Sequence, residues 1–316
     1  MSAEITTIIP TYRRPRLLQR ALRSVLDQTF RDFHVCVYDN ASEDDTEALV
    51  RATAAGDTRV EYFRHPENIG GARNFLFGMQ RVTTPYFSFL SDDDVLLSHF
   101  FETALAGFEQ CPQALMVAAS TVEVTSEGDV RYVPLARWSR EGVFYPPAGA
   151  FAMLDNKHPT WTTVLFRRES IEKVGLLDLS VGATSDLDFE LRIAARFPIV
   201  VSFRPCGAYV SHPQAGSSGE TGAVVPGFER LRANIASDER IPGPARRRLN
   251  ALLARQVQRK LLEIWVKGLV RGDDWAALEA AQMMRDRYGP RAGGAMLALA
   301  WSACTRLPCA RAIALG

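Results

Sequence analysis

Short apolar runs alternate with amphipathic stretches through the first third of the chain. Apolar, β-branched or aromatic runs at residues 5–9, 35–38, 60–63 and 86–90 predict four buried strands. Residues 16–28, 42–55 and 70–82 lie between them and predict helices, the second of them opened by a capping box at residues 42–45. Strands that alternate with helices are typical of crossover units, so the pattern predicts an α/β protein with a mostly parallel sheet flanked by helices.

The pattern changes twice further along the chain. Residues 115–225 are less regular and contain strand-like pieces at 115–119, 164–166 and 200–203. Beyond Pro226 the strand pattern stops, and stretches rich in Ala, Leu and Arg predict helices. We therefore expect one α/β domain over residues 1–225, with halves at about 1–95 and 96–225, and a helical region over residues 226–316.

Polar and aromatic side chains follow three of the predicted strands. They are Pro10, Thr11, Tyr12 and Arg13, then Asp39, then Asp92, Asp93 and Asp94. Ligands of open parallel sheets bind beyond the carboxyl ends of the strands. Tyr12 can stack on a base, Asp39 can accept a hydrogen bond from a base or a ribose, and Arg13 and Arg14 favour phosphate. Each alone could be an ordinary surface turn, but together they predict one ligand crevice.

The three consecutive aspartates have two interpretations. Close carboxylates repel and raise one another's pKa unless a cation neutralises them, and Mg²⁺ or Mn²⁺ shared with phosphate oxygens would do so. Alternatively, the triplet is a solvated acidic turn that caps a helix at about residues 96–109. The pattern alone leaves both open.

Composition removes several other classes of protein. The turn after the first strand contains no glycine, which argues against a dinucleotide-binding oxidoreductase, and no Walker-type loop is present. The 5 cysteines are scattered and odd in number, as expected for reduced thiols in a cytoplasmic protein. No signal peptide is recognised at the start. The net charge is +1, and no nucleic-acid partner is predicted.

A series of motifs resembles the family 2 glycosyltransferases, which have the GT-A fold. The similar segments are residues 7–13 (TIIPTYR), 24–30 (SVLDQTF), 38–46 (YDNASEDDT), 67–74 (ENIGGARN), 89–94 (FLSDDD), 165–178 and 185–192 (SDLDFELR). They follow one another in the order and spacing of the family. The resemblance covers roughly residues 5–218 and implies a catalytic GT-A domain over residues 1–225.

The resemblance also implies roles for individual residues. Those placed on the nucleotide or donor side are Pro10, Thr11, Tyr12, Arg13, Asp39, Arg73 and Asp92. Asp93 corresponds to the metal ligand, with Asp94 as support and His212 as a further ligand late in the chain. The family often has an acid where this chain has Ser91. The implied cofactor is Mn²⁺ or Mg²⁺.

The acceptor side is implied by the second half of the resemblance. Asp186 corresponds to the general base, with Asp188 as the alternative, although Ser185 replaces the usual Glu of that motif. Trp161, and more weakly Trp138, are candidate platforms for a sugar ring, with packing in the core as the other interpretation.

The implied reaction is metal-dependent transfer of one sugar, with inversion, from a nucleoside-diphosphate sugar (UDP- or dTDP-linked favoured). The acceptor would be a hydroxyl of a glycan, a lipid-linked intermediate or a natural product. The competing hypothesis is a non-catalytic nucleotide-sugar-binding or scaffold protein on the same fold.

The C-terminal region has a net positive charge. Residues 226–316 contain 16 basic and 8 acidic residues, and the segment from Arg246 has apolar positions at helical spacing. Packing of this helix on the catalytic domain and contact with an anionic membrane surface are both consistent with the pattern. The uncharged stretch at 292–305 is too short to span a bilayer. We expect a cytoplasmic protein, with peripheral contact at the inner face of the membrane as the alternative.

Overall fold

A ten-stranded sheet forms the centre of the protein. The computed structural model describes residues 4–211 and 221–289 of the chain. The N-terminal strands are β1 (Ile5–Thr11), β2 (Phe33–Asp39), β3 (Val60–Arg64) and β4 (Tyr86–Phe89). They lie in the order β3-β2-β1-β4 and all pair in parallel. The four predicted strands are confirmed.

The second half of the sheet is mixed. Its strands are β5 (Val95–Leu96), β6 (Met116–Thr125), β7 (Val130–Tyr132), β8 (Gly142–Phe144), β9 (Val164–Arg167) and β10 (Ile199–Ser211). The order continues β4-β9-β6-β10-β5, and β9 runs antiparallel to both of its neighbours. The α/β class is confirmed, but the antiparallel content is larger than predicted. One reason is that β7 follows β6 after a short turn, and such a connection can only make an antiparallel pair.

Helices cover both faces of the sheet. They are α1 (Pro15–Leu26), α2 (Thr46–Ala54), α3 (Gly71–Met79), α4 (Phe100–Gln110), α5 (Ala148–Asp155), α6 (Glu169–Val174), α7 (Ser185–Ala194), α8 (Thr221–Ser237), α9 (Gly243–Arg271) and α10 (Asp274–Tyr288). Short 3-10 helices lie at Pro134–Arg137, Trp161–Thr163 and Leu179–Thr184. Because side chains alternate along a strand, Ile5 and Ile9 of β1 join one core cluster and Ile8 joins the other.

The predicted capping box does not form. Helix α2 begins at Thr46, and Asp44 accepts hydrogen bonds from the Thr46 amide and hydroxyl. The Ser42 hydroxyl instead accepts a hydrogen bond from the Arg13 amide at 2.8 Å. The polar residues of this turn therefore join the ends of β1 and β2.

The C-terminal helices share a core with the α/β domain. Leu249, Leu253 and Val257 of α9 are buried in the same cluster as Phe87 and Phe89 of β4. Helix α8 runs across the predicted boundary at residue 225 and contains Pro226 in its early turns, and the division into two regions stays a prediction. The packing interpretation of α9 is thus confirmed for its buried face. Across residues 4–211 and 221–289, no helix has the length and apolar character needed to cross a membrane.

Candidate active site

A cleft of about 590 Å³ opens at the carboxyl ends of β1, β2 and β4. Its lining includes Pro10, Thr11, Tyr12, Arg14, Asn40, Asn74, Phe75, Asp92 and Asp93. The opposite wall is the first turn of α3, which lies close to the sheet because Gly78 has no side chain: a Cβ there would lie 2.5 Å from Ile8 Cγ2. The structure therefore brings most of the residues predicted at the strand ends into one crevice.

The acidic triplet lies inside the protein. Asp92 and Asp93 are each 6% exposed and Asp94 is 1% exposed. Helix α4 begins only at Phe100, and the residue before it, His99, makes no side-chain cap. The interpretation of a solvated turn that caps this helix is therefore wrong.

Basic and hydroxyl groups surround the two carboxylates that face the cleft. Arg14 Nη1 lies 3.3 Å from Asp92 Oδ1 and 3.0 Å from Asp93 Oδ2, so one guanidinium pairs with both. Thr11 donates its hydroxyl hydrogen to Asp92 Oδ2 at 2.8 Å, and Arg20 donates to the Asp93 carbonyl at 2.6 Å. Burial raises the pKa of Asp92 to about 6, although Thr11 and Arg14 favour its charged form. Negative charge at this point is costly without a cation.

Asp94 has a different role from its neighbours. Thr162 donates to Asp94 Oδ2 at 2.5 Å, and the amide of Val210 donates to Asp94 Oδ1 at 3.0 Å. Burial raises the pKa of Asp94 to about 7. Its carboxyl group thus joins β10 to the segment before β9 and does not face the cleft. Both of its oxygens accept hydrogen bonds inside the protein, which favours a structural role, and its role as a supporting metal ligand stays a prediction.

The remaining carboxylates suit a cation that shares its ligands with phosphate. Within the described residues, no group of three or more His, Cys, Asp or Glu side chains could hold a metal ion by itself. Asp92 and Asp93 nevertheless offer hard oxygen donors at the edge of a cleft. Mg²⁺ commonly binds one or two carboxylates and completes its coordination with substrate phosphates and water. His212, the other predicted ligand, lies outside the described residues.

Asp39 and Asn40 end β2 beside the cleft. Asp39 is fully buried, and its carboxylate accepts hydrogen bonds from the Tyr62 hydroxyl at 2.5 Å and the Ser42 amide at 2.9 Å. Asn40, which lines the cleft, donates to Asn68 Oδ1 at 2.8 Å. The contact of Asp39 with a base or ribose stays a prediction. Asn40, which the sequence also places at the end of β2 but without a role, becomes a candidate because it lines the cleft.

The two predicted donor-side arginines lie outside the cleft lining. Arg13 has a left-handed φ of 54°, and its side chain pairs with Glu43 at 3.2 Å and lies over the Tyr12 ring. Arg73 is exposed on the first turn of α3, next to Asn74. Because the chain turns sharply at Arg13, the next residue, Arg14, points to the carboxylates instead. Sequence alone could not choose between these adjacent arginines.

The two tryptophans that were candidate platforms for a sugar ring both pack against other residues of the protein. Trp138 is 4% exposed and donates its indole hydrogen to the Lys157 carbonyl, so the core interpretation holds for it. Trp161 stacks on Phe89 with ring centroids 4.4 Å apart and meets Phe75 edge-on. One face of the Trp161 indole is therefore used for packing, and its contact with a sugar stays a prediction.

The two candidate bases lie at the start of α7. Asp186 is half-buried, and one of its oxygens accepts a hydrogen bond from the Leu187 amide at 2.7 Å. Asp188 is 1% exposed and pairs with Arg192 at 2.7 Å, while Arg192 also donates to the carbonyl of Leu176. This placement favours a structural role for Asp188, because its partner Arg192 joins α7 to the segment after α6, and its alternative role as base stays a prediction.

A comparison of the sequence with known protein families covers the part of the chain that forms most of this site. The family model described as glycosyl transferase family 2 matches residues 6–175, more than half of the chain. The chain belongs to glycosyl transferase family 2. The matched segment contains β1 from its second residue, β2 to β4, the acidic triplet and the cleft residues named above. The resemblance seen in the motifs is confirmed.

Curated relatives are similar over part of their length. The chain is 32% identical over 105 residues to the Campylobacter jejuni GalNAc(5)-diNAcBac-PP-undecaprenol beta-1,3-glucosyltransferase. The matched segment covers 32% of this chain and 33% of that enzyme. It is 36% identical over 96 residues to the succinoglycan biosynthesis protein ExoW of Rhizobium meliloti, covering 29% of this chain and 30% of that protein. The similarity thus spans about a third of each relative.

Solved structures share the fold across most of the chain. Staphylococcus aureus TarS in complex with UDP-GlcNAc has a TM-score of 0.69 at 15% identity and covers 89% of this chain and 81% of that chain. The mannosyltransferase PcManGT of Pyrobaculum calidifontis, in complex with GDP-Man and Mn²⁺, has a TM-score of 0.58 at 18% identity, covering 98% and 82%. These similarities confirm the GT-A fold.

Proposed function

We propose that this family 2 glycosyltransferase transfers one sugar from a nucleoside-diphosphate sugar to a hydroxyl group, with a divalent cation and with inversion at the anomeric carbon. The observation that carries the proposal is the pair of buried carboxylates, Asp92 and Asp93, at the edge of a cleft at the strand ends. The nucleotide complexes of TarS and PcManGT, two proteins of the same fold, support the donor class.

The cleft residues divide the work of donor binding. Tyr12 and Asn40 offer an aromatic face and an amide to the nucleoside, and Arg14 offers positive charge to the diphosphate. Asp92 and Asp93 would hold Mn²⁺ or Mg²⁺, which neutralises the charge that develops on the leaving diphosphate. In this structure Arg14 pairs with the same two carboxylates. A bound cation would therefore have to share Asp92 and Asp93 with Arg14 or replace it as their partner.

Asp186 is the proposed general base. An acceptor hydroxyl has a high pKa, so its proton must be removed as the new bond to the anomeric carbon forms. The proton passes to the Asp186 carboxylate, and the diphosphate leaves with the electron pair of the broken bond. Attack opposite the leaving group inverts the anomeric centre. Asp186 is connected to the cleft through helix α3. The first turn of α3 lines the cleft, and α3 contacts the 3-10 helix Leu179–Thr184, which ends two positions before Asp186.

The experiment that tests the donor class is a thermal-shift screen of nucleoside diphosphates and their sugars, with and without Mn²⁺. Stabilisation by one nucleotide, UDP or dTDP being favoured, should require the cation. A ligand at 100 times its Kd stabilises the folded state by about 2.7 kcal/mol. Equal stabilisation with and without Mn²⁺ would contradict metal dependence, and no stabilisation by any nucleotide would contradict the donor class.

We further propose that the exposed face of α9 contacts an anionic membrane surface at the site of the acceptor. Leu262, Val266 and Val270 are 46%, 44% and 81% exposed and follow one another at helical spacing. The exposed residues Arg255 and Arg259 continue the same row. An apolar row with basic residues suits the interface of an anionic leaflet. The C. jejuni relative is named for an undecaprenol-linked substrate, which supports a lipid-linked acceptor.

Replacing the apolar row should release the protein from vesicles. We expect the triple variant Leu262→Ser, Val266→Ser and Val270→Ser to bind vesicles of anionic phospholipid about tenfold less tightly in co-sedimentation, since each buried methylene contributes about 0.8 kcal/mol. Val130→Ser is the matched control, because Val130 is 68% exposed on the short strand β7. Equal binding by the triple variant and the control would contradict this surface.

A further inference from the structure

A buried ion pair lies next to Asp186 and takes no part in the site described so far. His158 Nδ1 is 3.4 Å from Glu190 Oε2. The Glu190 side chain is fully buried, and neither of its carboxylate oxygens makes a hydrogen bond within the described residues. Asp186 and Glu190 are four positions apart on α7 and so lie on the same face of this helix. Three charged groups therefore share one small region.

The charges of this region favour a protonated imidazole. Burial alone would lower the pKa of His158, but Glu190 and Asp186 together raise it to about 9. Burial raises the pKa of Glu190 to about 7, although His158 opposes this shift. Glu190, which contacts the imidazole, and Asp186 therefore both favour the protonated form of His158.

Other charged groups nearby are paired elsewhere. They belong to the residue beside His158 and to α5 and α6, which pack on α7: Lys157 pairs with Glu123, Asp155 with Arg248, Arg168 with Glu172, and Lys173 with Glu169. The charge state of His158 thus depends on Glu190 and Asp186.

The segment that carries His158 also reaches the cleft. Trp161, three positions on, contacts Phe75 edge-on with ring centroids 5.6 Å apart, and Phe75 lines the cleft. The next residue, Thr162, donates to Asp94 behind the acidic triplet. This short segment therefore connects the cleft wall to the start of α7.

We propose that His158 is a positioning residue: as an imidazolium paired with Glu190, it keeps the Asp186 carboxylate ionised and ready to accept the acceptor's proton. This proposal rests on the proposed function of Asp186 as base. The physical reason is that two carboxylates one helical turn apart would compete for a single proton in a partly buried site. A cation paired with Glu190 removes that competition, because it stabilises the charged form of Glu190.

The test is the pH profile of kcat/KM for His158→Gln and Glu190→Gln, alone and together. The acidic limb reports the ionisation of the free enzyme's base. We expect His158→Gln to move this limb to higher pH by about one unit, since loss of a close opposite charge shifts a carboxyl pKa by about that much or more. Glu190→Gln should move it to lower pH. The double variant should return the limb towards that of the wild-type enzyme, because the two opposite charges that it removes act on the base in opposite directions.

A second measurement does not depend on catalysis. The imidazole of His158 is followed by NMR as the pH is raised, and its signal is assigned among the 5 histidines by its absence from His158→Gln. The pKa of His158 is raised in the folded protein, so protonation of His158 adds to the free energy of unfolding. This contribution is complete below pH about 6.5, the pKa of the unfolded state, and is lost as the pH rises through about 9. Glu190→Gln should lower this pKa.

Three results separate the possible failures. An unshifted acidic limb in His158→Gln, with only a lower unfolding temperature, would overturn the proposal and leave His158 a packing residue. Titration of the wild-type His158 near pH 6.5 would also overturn it. Full transfer activity in Asp186→Asn would instead show that the assignment of the base is wrong, and with it the role proposed for His158, whatever the NMR titration gives.

Discussion

Replacing Asp93 by Asn should lower kcat/KM for sugar transfer by about 100- to 1,000-fold while the fold is retained. This is the range for removing one electrostatic group that stabilises the transition state. Asn keeps the size of the side chain but removes the charge that would hold a divalent cation against the diphosphate. The unfolding temperature should fall by no more than about 4 °C, because Asp92 remains as a partner for Arg14. Transfer assays and thermal unfolding measure the two effects.

The neighbouring residue provides the matched control. Asp94→Ala removes the acceptor of the hydrogen bonds from Thr162 and Val210, so it should lower the free energy of unfolding by about 1–3 kcal/mol. It should leave the metal-dependent nucleotide shift in place for the molecules that remain folded. The two adjacent aspartates are thus expected to fail in different measurements. Equal metal-dependent stabilisation of Asp93→Asn and the wild-type enzyme would contradict the assignment of Asp93.

Local pattern was sufficient to predict the N-terminal half of the fold. The strands at the start of the chain are short runs of mostly apolar or β-branched residues separated by amphipathic helices, so their presence and parallel direction were predicted, whereas their order in the sheet was not. The acidic triplet was recognised because carboxylates directly after a buried strand are costly. Family motifs then predicted the GT-A fold and the glycosyltransferase family.

The parts that the sequence did not predict depend on contacts between distant residues. Only the packed structure places Thr162 and Val210 against Asp94 and so turns its carboxylate away from the cleft. The left-handed backbone at Arg13, which selects Arg14 as the partner of the carboxylates, is likewise set by the turn that Ser42 joins. His158 and Glu190 are 32 positions apart, and nothing in the spacing of residues links them. Such pairs require the tertiary fold.

The second large effect is the loss of turnover expected when Asp186 is replaced. Asp188, two residues further along α7, is expected to contribute to stability instead. Asp186→Asn should lower kcat by about 100- to 10,000-fold, the range for loss of a general base, without changing the affinity for the donor or the unfolding temperature by much. The reason is that Asp186 is half-buried and its bond to the Leu187 amide can be kept by the Asn side-chain oxygen.

Asp188→Asn should do the reverse. It removes the negative partner of Arg192 at a position that is 1% exposed, and breaking a buried ion pair destabilises a protein by about 3–5 kcal/mol. Turnover by the folded fraction should stay near the wild-type value, since this carboxylate is buried against Arg192, which joins α7 to the segment at Leu176. Donor titration, transfer rates and thermal unfolding of both variants show which of the two carboxylates is catalytic and which is structural. A loss of turnover in Asp188→Asn with unchanged stability would move the general base to Asp188, whereas the expected pattern separates a catalytic carboxylate from a structural one on the same helical turn.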